Sequence, residues 1–360
     1  MVGRADVPVS KASFHIPSLD GLRTVSFAVV FAAHAGLYNV VPGGFGVTVF
    51  FFLSGFLITT LLRQEFDKTG SVSLRKFYIR RALRILPPFY LVLFLATALV
   101  ALGVVAGPID PATVVAQALH YANYRIVLHG YSGFAPGTAV YWSLAVEEHF
   151  YLLFPLLYLT LRKRGMSGRA QALTLGALCV LILCWRCVLV YVLGCSVDRT
   201  YIASDTRFDS ILYGCALAVF GNPMLDTSRI RDGVWKSVLL PLGVLGLLAS
   251  FLIRDYGFRE TTRYSLQGLA LIPVFVCAMR FPTWGPMKLL NYRPVAFVGV
   301  LSYSLYLIHQ VVLFVLKPLE PRFGALLTGA IGLSISLLLA WLVHLFVEQP
   351  FARLRKRFSA

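Results

Sequence analysis

The chain has 360 residues, is 58% hydrophobic and only 14% charged, and carries a formal net charge of +17. Apolar runs of roughly twenty residues recur along it, which excludes an ordinary soluble domain; they do not alternate in polarity, which argues against a transmembrane β-barrel. The basic excess collects in short connections between these runs, the pattern of cytoplasmic loops, so nucleic-acid binding is not expected.

In chain order the sequence predicts an all-α polytopic integral membrane protein with ten transmembrane helices. The spans fall at roughly 22–38, 46–63, 86–106, 142–160, 171–193, 207–220, 236–253, 263–280, 295–316 and 325–347, with eight or eleven spans as alternatives. A polar leader with Arg4, Lys11 and Arg23 precedes or enters the first run, and no cleavable signal peptide is expected. The segment 74–87 reads as an amphipathic helix feeding the third span, with Arg80, Arg81 and Arg84 close together on it. It serves either as a positive-inside anchor or as a phosphate clamp. The connection 107–141 is the longest; it is expected to have a job or partial helix of its own, such as covering an outer cavity. Basic residues cluster in 63–84, 162–169, 229–236, 288–293 and the tail, which puts both termini in the cytoplasm. The opposite connections are poorer in basic charge; in 254–262, Arg254 and Arg259 are offset by Asp255 and Glu260.

Ionisable groups inside apolar runs are costly and mark sites or pathways. His34, Glu147, Arg207, Asp209 and His309 are expected to share one layer in the outer half of the bundle, by helix rise. Ser143, Glu147 and Tyr151 repeat along one helical face, as do Ser302, Tyr306 and His309. His34 is the leading catalytic candidate, since a neutral imidazole takes a proton from a hydroxyl; the alternative is a structural hydrogen-bonding role. Glu147 either orients His34 or belongs to a buried ion pair. Arg207 and Asp209 are read first as a structural polar network, and His309 as a substrate contact or an interhelical bond. Ser54-Gly55 reads first as close helix packing by small residues. Cys184 and Cys187 lie in an apolar run without histidine partners, so apolar filling is expected there, and no metal site is expected anywhere.

Several motifs carry a resemblance. They are Leu19-Asp20-Gly21-Leu22-Arg23 followed by His34, Phe50-Phe51-Phe52-Leu53-Ser54-Gly55-Phe56, and Phe77-Tyr78-Ile79-Arg80-Arg81 running to Pro87. Further on come Trp142-Ser143 to Tyr151, Arg207-Phe208-Asp209, Ser302-Tyr303 to His309, and Glu348-Gln349-Pro350-Phe351. In this order and spacing the chain resembles the bacterial membrane acyltransferase family 3, over a core of about residues 19–355. The resemblance implies ten core helices in the bacterial cytoplasmic membrane. It also implies transfer of an acyl group, commonly acetyl, from acyl-CoA as co-substrate to a hydroxyl of a sugar-containing acceptor. That acceptor is a surface glycan, a glycolipid or a macrolide sugar. His34 and Arg23 match the family's functional pair, and Arg80, Arg81 and Arg84 its donor-binding region. Ser54, Trp142, Arg207, Asp209, Tyr306 and His309 are carried as substrate contacts or structural polar groups. Some members add a helix and an external esterase-like domain; the expectation here is a stand-alone form. His149 stands where many relatives have Gln.

The expected mechanism has His34 as general base, with Glu147 setting its tautomer and an acyl-enzyme on His34 as the second route. The arginines and His34 are expected to lie roughly 20 Å or more apart along the membrane normal, which demands a recessed cavity for the pantetheine arm. The rival class is a proton-coupled secondary transporter, since buried acids and histidines also suit proton coupling.

Overall fold

A computed structural model of the chain describes residues 16–358. The predicted leader residues Arg4 and Lys11 lie outside the described residues. Long helices dominate: α1 (Leu19–Ala32), α2 (Gly43–Thr69), α3 (Leu74–Ala101), α4 (Pro111–Ala118), α5 (Ala122–His129), α6 (Trp142–Lys163) and α7 (Gly168–Cys187). After them come α8 (Val197–Ile202), α9 (Ser204–Val219), α10 (Leu240–Leu252), α11 (Thr262–Arg280), α12 (Arg293–Leu316), α13 (Ala325–Val343) and α14 (Gln349–Lys356).

Eight helices among the described residues are long and apolar enough to cross a membrane, those built around α2, α3, α6, α7, α10, α11, α12 and α13. The other two predicted spans correspond to α1 and α9, and both are short. At 16 residues, α9 rises about 24 Å, less than the hydrocarbon thickness of about 30 Å. Nearly all its side chains are buried, because it is packed between α2, α7 and α11 and need not meet lipid. That packing lets it carry Arg207, Asp209 and Ser210. Its contact with α2 runs backbone to backbone. A Cβ on Gly55 would fall on the Ile211 carbonyl oxygen, and one on Gly214 on that of Phe52. Small residues are what allow two helices to approach this closely, so the packing reading of Ser54-Gly55 describes Gly55 well.

The chain closes one end of the bundle through polar ties. Arg63 donates through Nη1 and Nη2 to Asp226 at 3.0 and 2.5 Å, and Arg162 donates to Asp67 at 2.5 Å. Ser18 donates through its backbone N–H to Asn291 at 2.8 Å. Burial alone raises the carboxyl pKa of Asp226. The Arg63 bonds and the N–H groups of Asn222 and Gly221 outweigh it and hold that carboxyl below its ordinary range. The basic loops lie at this end. At the other end Asn123 donates to Ser204 at 2.9 Å and Tyr131 to Asp198 at 2.9 Å.

Two local expectations take definite form. The segment 74–87 feeds the third span as the first turns of the same helix. α3 starts at Leu74, where Ser73 accepts from the Lys76 N–H, and runs unbroken through Pro87 and Pro88. Just before those prolines the Ile85 carbonyl accepts from the Tyr303 hydroxyl at 2.8 Å, which ties α3 to α12. The connection 107–141 folds into α4 and α5, and Asp110 caps α4 through the N–H groups of Ala112 and Thr113. It packs on α3, α6 and α8, and only Val140 of it reaches the large cavity described next.

Candidate active site

α1 ends in a widened π-type turn, Ala33–Leu37, and its backbone breaks at Ala35 and at Gly36, whose φ is 103°. Only glycine adopts that conformation readily. His34 lies in the turn just before this break and faces an open cavity walled by the connection 38–44, Tyr201, and the ends of α10 and α11. Such turns recur at functional sites.

The His34 ring is held by a second ring. Its Nδ1 lies 2.9 Å from Nε2 of His309 on α12, the planes 17° apart. His309 Nδ1 lies 2.8 Å from the Tyr306 carbonyl oxygen and 3.1 Å from that of Leu305. Carbonyl oxygens only accept, so the proton of a neutral His309 sits on Nδ1 and its Nε2 is an acceptor. His34 therefore donates from Nδ1, and its Nε2 keeps a free lone pair. No hydrogen-bond partner meets that nitrogen among the described residues. Phe27 and Tyr306 flank His309 at ring distances of 5.6 Å each, which fixes its orientation.

A second cavity lies between α1, α2, α3, α6 and α12. Arg23, Arg81 and Arg84 line it together with Glu147, Ser54 and Tyr151. Arg23 donates to Asp20 at 2.7 Å, and the Arg81 guanidinium lies 4.0 Å over the Tyr151 ring. Neither Arg81 nor Arg84 makes a hydrogen bond or ion pair among the described residues, and the Arg81 Nε is buried without a partner. Arg355 of α14 stands near enough to repel Arg80, Arg81 and Arg84. Arg80 is turned elsewhere, donating to Glu65 at 2.9 Å and to the Phe358 carbonyl at 3.0 Å.

The two cavities share Val47 and Tyr306 as lining residues. The Tyr306 hydroxyl lies 2.6 Å from Ser143 Oγ and donates to the Val140 carbonyl at 3.0 Å. Tyr306 is thus pinned in the partition between them.

The structure brings His34 to His309 rather than to Glu147, so the expected His34–Glu147 partnership is not formed. Glu147 Oε2 accepts from the Tyr151 hydroxyl at 3.0 Å, and that hydroxyl also bonds Ser54. The one polar layer expected from helix rise divides into two chambers. Trp142 lines the histidine cavity and packs against Tyr201, with ring centroids 5.0 Å apart and planes tilted by 52°. Asp209 sits in a fully buried network: Arg186 Nη2 donates to it at 2.6 Å, Ser265 at 3.2 Å and its neighbour's N–H at 2.8 Å. Arg207 does not share that carboxylate; it donates to Thr48 at 3.0 Å and to the Tyr201 carbonyl at 2.9 Å. His149 lies 2.7 Å from Ser204 Oγ, away from both cavities. Sequence reasoning missed Arg263, Tyr201 and Tyr264 on the histidine cavity and Arg355 beside the arginines, because each reaches its place from an element whose periodicity says nothing of the cavity. No group of metal-binding side chains occurs among the described residues.

Long apolar helices make this a multi-pass membrane protein, and an imidazole nitrogen without a partner among the described residues stands across Tyr306 from a cavity lined by arginines. Residues 16–345 match the acyltransferase domain family Acyl_transf_3, and the chain belongs to that family. Among curated proteins it is 28% identical over 354 residues to the peptidoglycan O-acetyltransferase OatA of Listeria monocytogenes, covering 94% of this chain and 56% of that one. It is 29% identical over 359 residues to the Bacillus subtilis protein named "Putative peptidoglycan O-acetyltransferase YrhL", covering 93% of this chain and 55% of that one. The chain spans a little over half the length of these relatives. No solved structure matches it. Family membership favours the acyltransferase expectation over the transporter.

Proposed function

We propose that this chain is an O-acyltransferase of the bacterial cytoplasmic membrane. It moves an acyl group, acetyl by analogy with its relatives' names, from acyl-CoA to a hydroxyl of a carbohydrate-containing acceptor. The observation that carries the reading is the meeting of the two cavities at Val47 and Tyr306, with unpaired arginines on one side and the free Nε2 of His34 on the other. In the proposed topology of ten spans with both termini inside, α1 and α9 are the short crossings, the arginine cavity faces the cytoplasm and the histidine cavity faces outward.

The donor's phosphates are held by Arg23, Arg81 and Arg84, whose guanidiniums give charge-assisted bonds to such oxygens. Arg23 and His34 are about eleven residues apart, or about 16 Å of helix rise. An extended pantetheine arm passing Tyr306 covers that span. His34 Nε2 takes the proton of the acceptor hydroxyl as its oxygen attacks the thioester carbonyl carbon. The carbon–sulfur bond breaks, and the CoA thiolate leaves with the proton from the imidazolium. Glu147 balances charge among the arginines instead of orienting His34. The relatives named for peptidoglycan favour a surface glycan as acceptor over a glycolipid or a macrolide sugar.

The test is acyl transfer by the purified protein in liposomes, supplied with labelled acetyl-CoA and cell-envelope glycans from a strain lacking the chain. Label should pass to glycan hydroxyls as ester, and a folded His34→Ala protein should transfer none. Full transfer by that variant would remove His34 from the mechanism. Label trapped on the protein without acceptor would replace direct transfer by an acyl-enzyme.

A further inference from the structure

The connection 254–262 looks charge-balanced when residues are counted, but the fold removes its acid from the balance. Glu260 is 2% exposed; its Oε2 accepts from Thr200 at 2.6 Å and its Oε1 lies 3.9 Å from Arg263. Asp255 accepts from the Phe258 N–H at 2.7 Å and does not line the cavity. Arg254 and Arg259 do line it, and neither has a side-chain hydrogen bond or an ion pair among the described residues. Arg263 lines it too, with one Nη on the Tyr264 hydroxyl at 3.0 Å.

A fourth cation stands behind the wall. Arg207 is fully buried, and no carboxylate pairs with it among the described residues. Its guanidinium lies 4.2 Å from the centroid of the Tyr264 ring and 5.4 Å from that of Tyr201, two rings that face the cavity, and its Nε has no partner. A charge withdrawn from water projects its field into the neighbouring cleft, where low-dielectric walls focus it. The histidine cavity is therefore positive at its rim and behind its aromatic wall, and its lining holds one acid, already occupied.

We infer that this cavity selects an anionic glycan acceptor, a sugar bearing a carboxylate or a phosphate, with Arg259 and Arg263 holding the anion while a hydroxyl of the same saccharide faces His34. The inference rests on the acyl-transfer reading and narrows its acceptor class. Trp142, Tyr201 and Tyr264 supply flat faces for the sugar ring, and the arginines set which sugar stays. A neutral saccharide would leave Arg259 without a partner and Arg263 with only Tyr264 and the distant Glu260.

The experiment uses the full chain in nanodiscs with acetyl-CoA and three acceptors: digalacturonate, its methyl ester, and maltose 1-phosphate. Acetylated product is measured by mass spectrometry, and binding of each saccharide is measured separately without donor. Digalacturonate or the sugar phosphate should exceed the neutral ester about tenfold in kcat/KM and in affinity, an advantage that shrinks with salt. Whichever anion leads identifies the charged group. In the Arg259→Gln/Arg263→Gln protein the ratio of anionic to neutral acceptor should fall to near one, and Arg259→Glu, at an exposed position, should invert it. Equal binding of the ester and the anion, or a preference that survives both variants, would overturn the inference. Anion-selective binding without transfer to any acceptor would leave the anion site standing and sink the acyl-transfer reading instead.

Discussion

His34 and His309 stand 275 positions apart in the chain, yet their rings meet at 2.9 Å, and the backbone carbonyls behind His309 decide which nitrogen of His34 is free. In the proposed mechanism this chain of fixed donors and acceptors makes the second histidine a positioning residue for the first.

Substitution at His309 separates this role from packing. His309→Phe keeps the ring and removes the acceptor, so His34 loses its tautomer and kcat should fall about 10²- to 10⁴-fold, the range for losing general-base catalysis. His309→Gln offers a carbonyl acceptor and should restore part of it. Both should leave acyl-CoA affinity intact. Equal activity of the two variants would refute this positioning role.

Gly36→Ala places a side chain at a φ of 103°, a strained conformation costing on the order of 1–3 kcal/mol. The turn should shift and carry His34 with it. The expected result is a lower kcat at unchanged acyl-CoA affinity, read by single-turnover transfer alongside equilibrium donor binding.

The arginines are not equivalent. Arg81→Gln and Arg84→Gln each remove a cation with no partner in the cavity and should weaken acyl-CoA binding about tenfold. Arg80→Gln removes one already tied to Glu65 and the Phe358 carbonyl and should change it less than threefold. Calorimetric titration with CoA distinguishes them, and an equal loss at all three positions contradicts the geometry.

Asp209→Ala leaves Arg186 charged, buried and without its carboxylate. A broken buried pair costs about 3–5 kcal/mol, so the variant should unfold markedly earlier in a thermal scan in detergent. Asp209→Asn, which still accepts hydrogen bonds, should lose less. Little difference from the parent in both would show the network to be dispensable.

Acid should loosen the connection 107–141 before the bundle. Burial pushes the His120 imidazole down to about 4 from its ordinary value near 6.5. Below that ordinary value the unfolded chain takes up a proton that the folded one refuses, so stability falls as pH drops from about 6.5 toward 4. The effect is on the order of 3 kcal/mol or less. His120 has a φ of 57°, and His120→Asn suits that conformation without titrating. Hydrogen exchange in α4 and α5 at pH 7.5 and 5 should show a pH dependence in the parent that the variant lacks.

Much of this protein could be read along the chain. Apolar runs set by bilayer thickness, basic loops, and the ordered motifs around His34, Arg81, Trp142 and His309 determined the membrane class and the family, and set the chemistry to be expected. Those signals are local: helix length, charge per loop, and which residues share one helical face. Tertiary structure alone decided which faces meet. Glu147 and His34, expected at one depth, belong to different chambers because α6 turns its acid toward α3 while α12 brings His309 to α1. Asp209 pairs with Arg186 rather than standing with Arg207, and Glu260 is withdrawn from a loop whose charges balance on paper. Periodicity assigns a side chain to a face and composition assigns it a charge. Only packing assigns it a partner, since that depends on helix rotation and crossing, which are set by contacts far away in sequence.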